Sequence, residues 1–361
     1  MMKALPLLAL VLSVPFLSAY GFGYEDAVAD GTVMPGIGAG NLLLGGAMAI
    51  GYGEPTSVLL NPANLGRVSA PGIEICIGPA IVTENVEDSI GLHSRSYLSL
   101  GPTSLATRIP AGRSLTLGAG LARVSDVSYD GRHYLAENPL IPGYITGAEA
   151  LEASGGLWEA VAGCSYRVAR WVSLGVSAGP RFGSADLEYA YDDRVGEEDS
   201  VATWGWDESG FCVHAGATFP FGLNSASVAW TSGSDHYPPR VAAGAILHSG
   251  GTAEDFSIGV EGEIRDPGEK NTFIGRLSGR FSPNPGFILG GALSFSDRGS
   301  ESSRSNLGFA MGTAITIGRA VLRGGFMFES SSRRTTAFGY EGFDTVTDKV
   351  GSCSVGLDWT L

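Results

Sequence analysis

The chain has 361 residues, 54 of them glycine, about twice the usual share, and only 17% are charged against a typical ~25%. Lys and Arg number 23 against 37 Asp and Glu, a formal charge of −14, which is the wrong sign for phosphate contacts and excludes nucleic acid as a partner. Past residue 20 no apolar run reaches the roughly 18 residues a spanning helix needs, and 44% hydrophobic content with sparse charge excludes disorder.

Residues 1–19 read as a signal peptide. Met1-Met2-Lys3 supplies a positive start, Ala4 to Leu17 is nearly unbroken apolar, and Leu17-Ser18-Ala19 or Ala19-Tyr20-Gly21 offers a small-residue cleavage site. A membrane anchor fits less well, because Pro15 interrupts a segment already short for a span.

Residues 20–71 show no alternation. They are rich in small residues, with Gly45-Gly46-Ala47-Met48-Ala49 followed about a dozen positions later by Asn61-Pro62-Ala63-Asn64-Leu65. Pro62 removes a ladder donor and pushes Asn61 toward an extended conformation.

From Gly72 onward apolar residues alternate with small or polar ones, the period-2 pattern of strands with two unlike faces. Ile73/Ile75/Ile77, Phe211/Val213/Ala215/Ala217/Phe219, Phe287/Leu289/Gly291/Leu293/Phe295 and Cys353/Val355/Leu357/Trp359 are clear cases. The opposite faces carry Gly, Ser, Thr and isolated charges such as Glu74, Arg276, Arg280 and Asp358. Fourteen strands are predicted, near 72–81, 92–108, 114–124, 155–168, 172–191, 201–219, 224–231, 240–247, 255–264, 272–281, 287–296, 305–317, 321–329 and 350–361.

The connectors alternate in length. Those at 82–91, 125–154, 192–200, 232–239, 265–271, 297–304 and 330–349 are polar and mostly acidic; those between are short turns such as Ser282-Pro283-Asn284-Pro285-Gly286. Long loops on one side and short turns on the other suit a closed antiparallel membrane barrel surrounded by outer-membrane lipid. A soluble β-sandwich shares the alternation but needs no such parity. Aromatic residues support the barrel: Tyr189, Tyr191, Trp204, Trp206 and Trp230 fall at expected outer ends, and Trp171, Phe219, Phe221 and Trp359 at inner ends, as two interfacial girdles would. Glycines inside the strands, Gly118, Gly120, Gly175, Gly275, Gly279, Gly290 and Gly291 among them, allow kinks and the close approach of another segment.

Chemistry-bearing motifs are poor. Gly175-Val176-Ser177-Ala178-Gly179 matches a nucleophile elbow in letters only, because it lies mid-strand. The five histidines are scattered, and the four cysteines (Cys76, Cys164, Cys212, Cys353) show no CxxC spacing and read as buried free thiols. No enzymatic activity, cofactor or metal is expected.

The Gly-Gly-Ala segment and the Asn-Pro-Ala-Asn-Leu motif at this spacing resemble the N-terminal stretch of FadL/PorV-type outer-membrane proteins, with Asn64 standing where glycine is usual. Asn tolerates left-handed backbone, which makes the exchange acceptable if that geometry is needed. The motif covers about thirty residues. The resemblance implies an all-β chain, a barrel of about fourteen strands over 72–361 with a hatch, residues 20–71, inside its lumen. Hatch-motif residues are then Gly45, Gly46, Ala47, Asn61, Pro62, Ala63, Asn64 and Leu65, and the candidate ligand contacts are the apolar Leu42, Leu43, Leu44, Met48 and Ile50. The implied function is passive carriage of hydrophobic small molecules across the outer membrane. The alternative within the same resemblance is a PorV/PorQ-like scaffold that engages secretion-system proteins through loops 125–154 and 330–349.

Overall fold

The computed structural model describes residues 32–34, 36–87, 92–100, 103–136, 145–193, 200–249, 255–267, 272–284, 286–298, 304–335 and 344–360. The expected signal peptide and residues 20–31 lie outside the described residues.

Alternation is realised as one closed sheet. In chain order the strands are β1 (Gly72–Ile77 continuing as Pro79–Glu87), β2 (Leu92–Leu100 and Ser104–Pro110), β3 (Leu115–Arg123 and Tyr129–Ala136), β4 (Ile145–Ala169), β5 (Val172–Asp193) and β6 (Ser200–Phe221). Then come β7 (Asn224–Thr231), β8 (Arg240–His248), β9 (Asp255–Arg265), β10 (Thr272–Asn284), β11 (Phe287–Arg298), β12 (Arg304–Ile317), β13 (Ala320–Thr335) and β14 (Asp344–Thr360). Each pairs antiparallel with the next, and β14 pairs antiparallel with β1, through Val355↔Ile77 and Thr345↔Glu87 for example. The result is a closed fourteen-stranded barrel. An even count is what lets first and last strands meet antiparallel, and closure removes the sheet edges that would otherwise expose unpaired backbone.

The expected short turns are present. β5 follows β4 after two residues, and β7 follows β6 through Gly222-Leu223, where Gly222 takes φ 67. Three expected loops, however, are largely strand: of 82–91, residues 82–87 belong to β1. Of 125–154, residues Tyr129–Ala136 and Ile145 onward belong to the β3–β4 hairpin; of 330–349, residues up to Thr335 and from Asp344 belong to β13 and β14. Outside lipid both faces of a hairpin meet water, so the apolar period that marks a strand fades while the hydrogen-bonded ladder continues. The wall is therefore uneven. β4, β5 and β6 run 25, 22 and 22 residues, against 8 and 9 for β7 and β8.

Between its two halves β3 breaks its ladder with β4. There Ser125–Asp126 pairs antiparallel with Thr32–Val33, so the N-terminal chain joins the wall at this point. Asp126 Oδ1 holds the bend, accepting from Arg123 Nη2 (2.7 Å), Ser128 N (2.9 Å) and Ser128 Oγ (2.6 Å).

The outer surface is a belt of exposed apolar side chains, including Leu277, Leu293, Phe309 and Met311, while Glu261, Glu263, Arg276 and Ser278 on neighbouring faces are buried. That is the inverse of a soluble protein and requires lipid outside. Most aromatics of the expected girdles lie on this surface. Trp206 and Tyr189 do not: they pack against inner clusters, and Trp206 stacks on His236 with centroids 4.1 Å apart. They sit on the tall part of the wall, where the concave face needs apolar cover. Leu293→Arg is expected to cost about 2–4 kcal/mol, the range for a charge at mid-depth on a barrel's lipid face. Urea unfolding in phospholipid vesicles measures it, and an unchanged midpoint would contradict a lipid-facing Leu293.

Candidate functional site

The lumen is occupied by the chain's own N-terminal segment. From Gly36 to Leu65 every residue except Tyr52 is buried. The segment cannot be a strand, because Gly36, Gly38, Gly45, Gly46 and Gly53 all take positive φ, which reverses the chain repeatedly. A single helical turn, Ala39–Leu42, lies between these reversals, and two short 3-10 helices, Pro55–Leu59 and Pro62–Arg67, follow the last of them. Each 3-10 helix opens with proline at its first position, where the missing N–H costs no bond.

Asn61 caps the second of them: its Oδ1 accepts from Ala63 N at 3.2 Å. Its Nδ2 donates to Ala49 O at 2.6 Å, and Asn64 Nδ2 donates to the same carbonyl at 2.9 Å. The two motifs, a dozen residues apart in sequence, are thus tied at one carbonyl. Asn64 is not left-handed, contrary to the reason given for accepting it in place of glycine. It lies within the 3-10 helix, where its side chain also accepts from Thr218 Oγ1 at 2.8 Å. Its amide is used for bonding and its backbone geometry is ordinary.

The wall reaches inward from all sides to hold the segment. Glu261 on β9 accepts from the backbone N–H groups of Met48, Ala49 and Ile50 at 2.7, 2.7 and 3.0 Å. Beside it Arg276 on β10 donates from Nε to Gly45 O at 3.0 Å and pairs with Glu263 at 2.6 Å. Ser177 on β5 donates to Val58 O at 2.6 Å and Ser165 on β4 to Ala63 O at 3.0 Å. Arg67 donates to Ser225 Oγ at 2.6 Å, Thr56 to Glu74 at 2.9 Å, and Arg108 to Gly53 O. The wall also yields space. A Cβ on Gly175 would lie 2.1 Å from Ala63 N, and one on Gly216 would lie 2.0 Å from Asn61 Oδ1. Gly118, Gly120 and Gly290 likewise face the segment, whereas Gly279 meets nothing within 4 Å.

The candidate contact residues divide into two groups. Leu42 packs on Ala292, Ala310 and Met327 of the wall, Met48 on Ala229 and Ala242, and Ile50 with Ala47 beside Ile246. Leu43 and Leu44 line a cavity of about 260 Å³ near the short turns, with Ile288, Val321 and the charged Glu54, Arg108, Arg280, Arg323 and Asp358, and Leu44 also packs with Ala47, Ile50 and Ile246. Arg280 sits over the Tyr52 ring at 4.1 Å, and Tyr52 OH meets Ser257 Oγ at 2.7 Å. Pro62 and Ala63 lie against Gly175, and Leu65 belongs to the apolar cluster with Val58, Leu59 and Leu157. Sequence reasoning did not single out Glu261, Ser165, Ser177, Thr218 or Gly216. Their signal is a polar residue or glycine on the lumen face of a strand, and only the occupied lumen gives it meaning.

By fold and site this is a closed, up-and-down, fourteen-stranded barrel of the lipid-facing type, with its own N-terminal segment bound in the lumen. Solved structures share the barrel fold. A Pseudomonas aeruginosa FadL homologue aligns over 91% of this chain and 99% of its own at 9% identity, with a TM-score of 0.66. The toluene transporter TodX of Pseudomonas putida aligns over 91% and 99% at 12% identity and 0.65, and a TodX monoaromatic hydrocarbon channel mutant over the same shares at 11% and 0.68. The FadL resemblance read from the N-terminal motifs therefore holds at the level of the fold. No family model and no curated protein matches the sequence.

Proposed function

We propose that the protein resides in the outer membrane, exported by way of residues 1–19, and carries hydrophobic small molecules passively across it, with the lumen segment as a hatch. The observation that carries this reading is how the segment is held. Its apolar residues meet the wall, but its anchors are individual side-chain-to-backbone bonds, each a net ~0.5–1.5 kcal/mol and up to ~3 where charged, which small rearrangements can break and remake. On the inner side the cavity of about 260 Å³ is lined partly by Leu43, Leu44, Ile288 and Val321. An apolar cavity of roughly 150 Å³ suffices for benzene, so by volume one aromatic ring or a short alkyl chain fits on the apolar side, opposite Arg280, Arg323 and Asp358. The solved TodX structures, described as a toluene transporter and a monoaromatic hydrocarbon channel, share the barrel fold. No cofactor enters this reading. The scaffold alternative rests on the tips of the β3–β4 and β13–β14 hairpins, and residues 137–144 and 336–343 there lie outside the described residues.

Uptake of a monoaromatic solute by liposomes, comparing the full protein with a variant lacking residues 36–65, tests the reading. Removal of the segment should raise permeability and abolish discrimination between hydrophobic and polar solutes. Equal uptake by both proteins, each shown to be folded by heat-shifted gel mobility, would argue against a hatch.

A further inference from the structure

Three side chains outside the hydrogen bonds that hold the N-terminal segment meet on the lumen face of the tall wall. Cys212 and His214 are two apart on β6, so the period of the strand puts both inward. Glu159 reaches them from β4, across β5. All three are buried to 1% exposure or less, and their ligand atoms lie within 4.8 Å of one another.

Their surroundings leave these atoms underused. Glu159 Oε1 accepts from Arg181 Nε and Nη2 at 2.9 and 2.6 Å, which leaves Oε2 facing His214 Nε2 at 3.0 Å. The two atoms oppose each other as a close charge contact, and neither makes another hydrogen bond. The other ring nitrogen, Nδ1, is engaged by Thr231 Oγ1 at 3.0 Å. In the tautomer that donates Nδ1–H to Thr231 Oγ1, Nε2 carries a lone pair, as metal-binding histidines commonly do. The Cys212 thiol contacts Gly179 O at 3.3 Å.

We propose that Glu159, Cys212 and His214 form a site for a thiophilic divalent cation of the zinc class. Ligands at about 2.0–2.3 Å around such an ion lie roughly 3.3–3.8 Å apart, so closing the triangle draws the three ligand atoms together by up to about 1 Å. Sulfur, imidazole and carboxylate together suit zinc and disfavour calcium or magnesium, which take all-oxygen sets. Arg181 already balances Glu159, so the ion binds with loss of the thiol proton: Cys–SH and M²⁺ become Cys–S–M⁺ and H⁺, the proton leaving to solvent. A fourth position falls to water. The bound ion ties β4 to β6 at the cluster where Cys212 packs with Val58, Leu59 and Leu65 of the lumen segment.

Cobalt(II) titration of the detergent-solubilised full chain reads the site directly. One equivalent should produce a thiolate-to-cobalt charge-transfer band that zinc abolishes. Cys212→Ser should remove the band, and His214→Gln should weaken binding by more than the roughly 10–100-fold typical of an outer-shell partner. Cys164→Ser and Cys353→Ser should leave it intact. Absence of the band in the folded native protein, or unchanged affinity in Cys212→Ser or His214→Gln, overturns the proposal.

Discussion

Glu261→Ala should loosen the lumen segment where it is bound most tightly. The carboxylate accepts three consecutive backbone N–H groups, from Met48, Ala49 and Ile50. Removing it leaves those buried donors without a partner, at about 1–3 kcal/mol each before water enters. Arg276 is not orphaned, since Glu263 still pairs with it at 2.6 Å. The loss therefore falls on the segment, and partial rehydration brings it to roughly 3 kcal/mol in all. At 1.4 kcal/mol per factor of ten, the amides of residues 48–50 should exchange hydrogen about 100-fold faster. Glu261→Gln, which keeps one oxygen acceptor, should show a smaller effect. Exchange at the native rate in the alanine variant would mean that Glu261 does not anchor the segment.

Gly175→Ala should displace the Asn-Pro-Ala turn itself. The new Cβ would stand 2.1 Å from Ala63 N and 2.3 Å from Pro62 C, and these are backbone atoms with no rotamer to retreat into. Overpacking of this kind costs about 1–3 kcal/mol or more, and the shift also breaks the Ser165 bond to Ala63 O. Limited proteolysis should cut near residues 61–65 while heat-shifted gel mobility shows an intact barrel. Gly279→Ala supplies the contrast. It is another strand glycine, but its Cβ would meet nothing within 4 Å, so native protease resistance is expected. If the two variants behave alike, close packing at Gly175 is not what positions the turn.

These two glycines mark where local reading stops. Gly175 and Gly279 look the same in sequence, each a small residue in an alternating strand. Gly175 makes room for another piece of chain, whereas Gly279 lies on the outward face with Leu277 and Phe281. The polar strand positions are similar. Arg276 was legible as a charge on a lumen face, but its bond to Gly45 O depends on a contact 231 residues away. Cys212 and His214 stand two residues apart, a spacing the scattered histidines and unpaired cysteines gave no reason to single out, because the carboxylate beside them comes from β4.

The amino-acid sequence on its own determined the number of strands, which face of each meets lipid, and the side of the barrel that carries short turns. These are local properties: a period of two and a turn residue are set by neighbours a few positions away. It also set residues 20–71 apart by their lack of alternation, although Thr32–Val33 within them pairs with Ser125–Asp126. Tertiary structure alone decided how far the hairpins rise beyond the apolar belt, because a ladder in water needs no hydrophobic period. It decided as well which carboxylate, serine and glycine side of the wall receives each part of the lumen segment, because closing the ring brings together residues that no spacing along the chain relates.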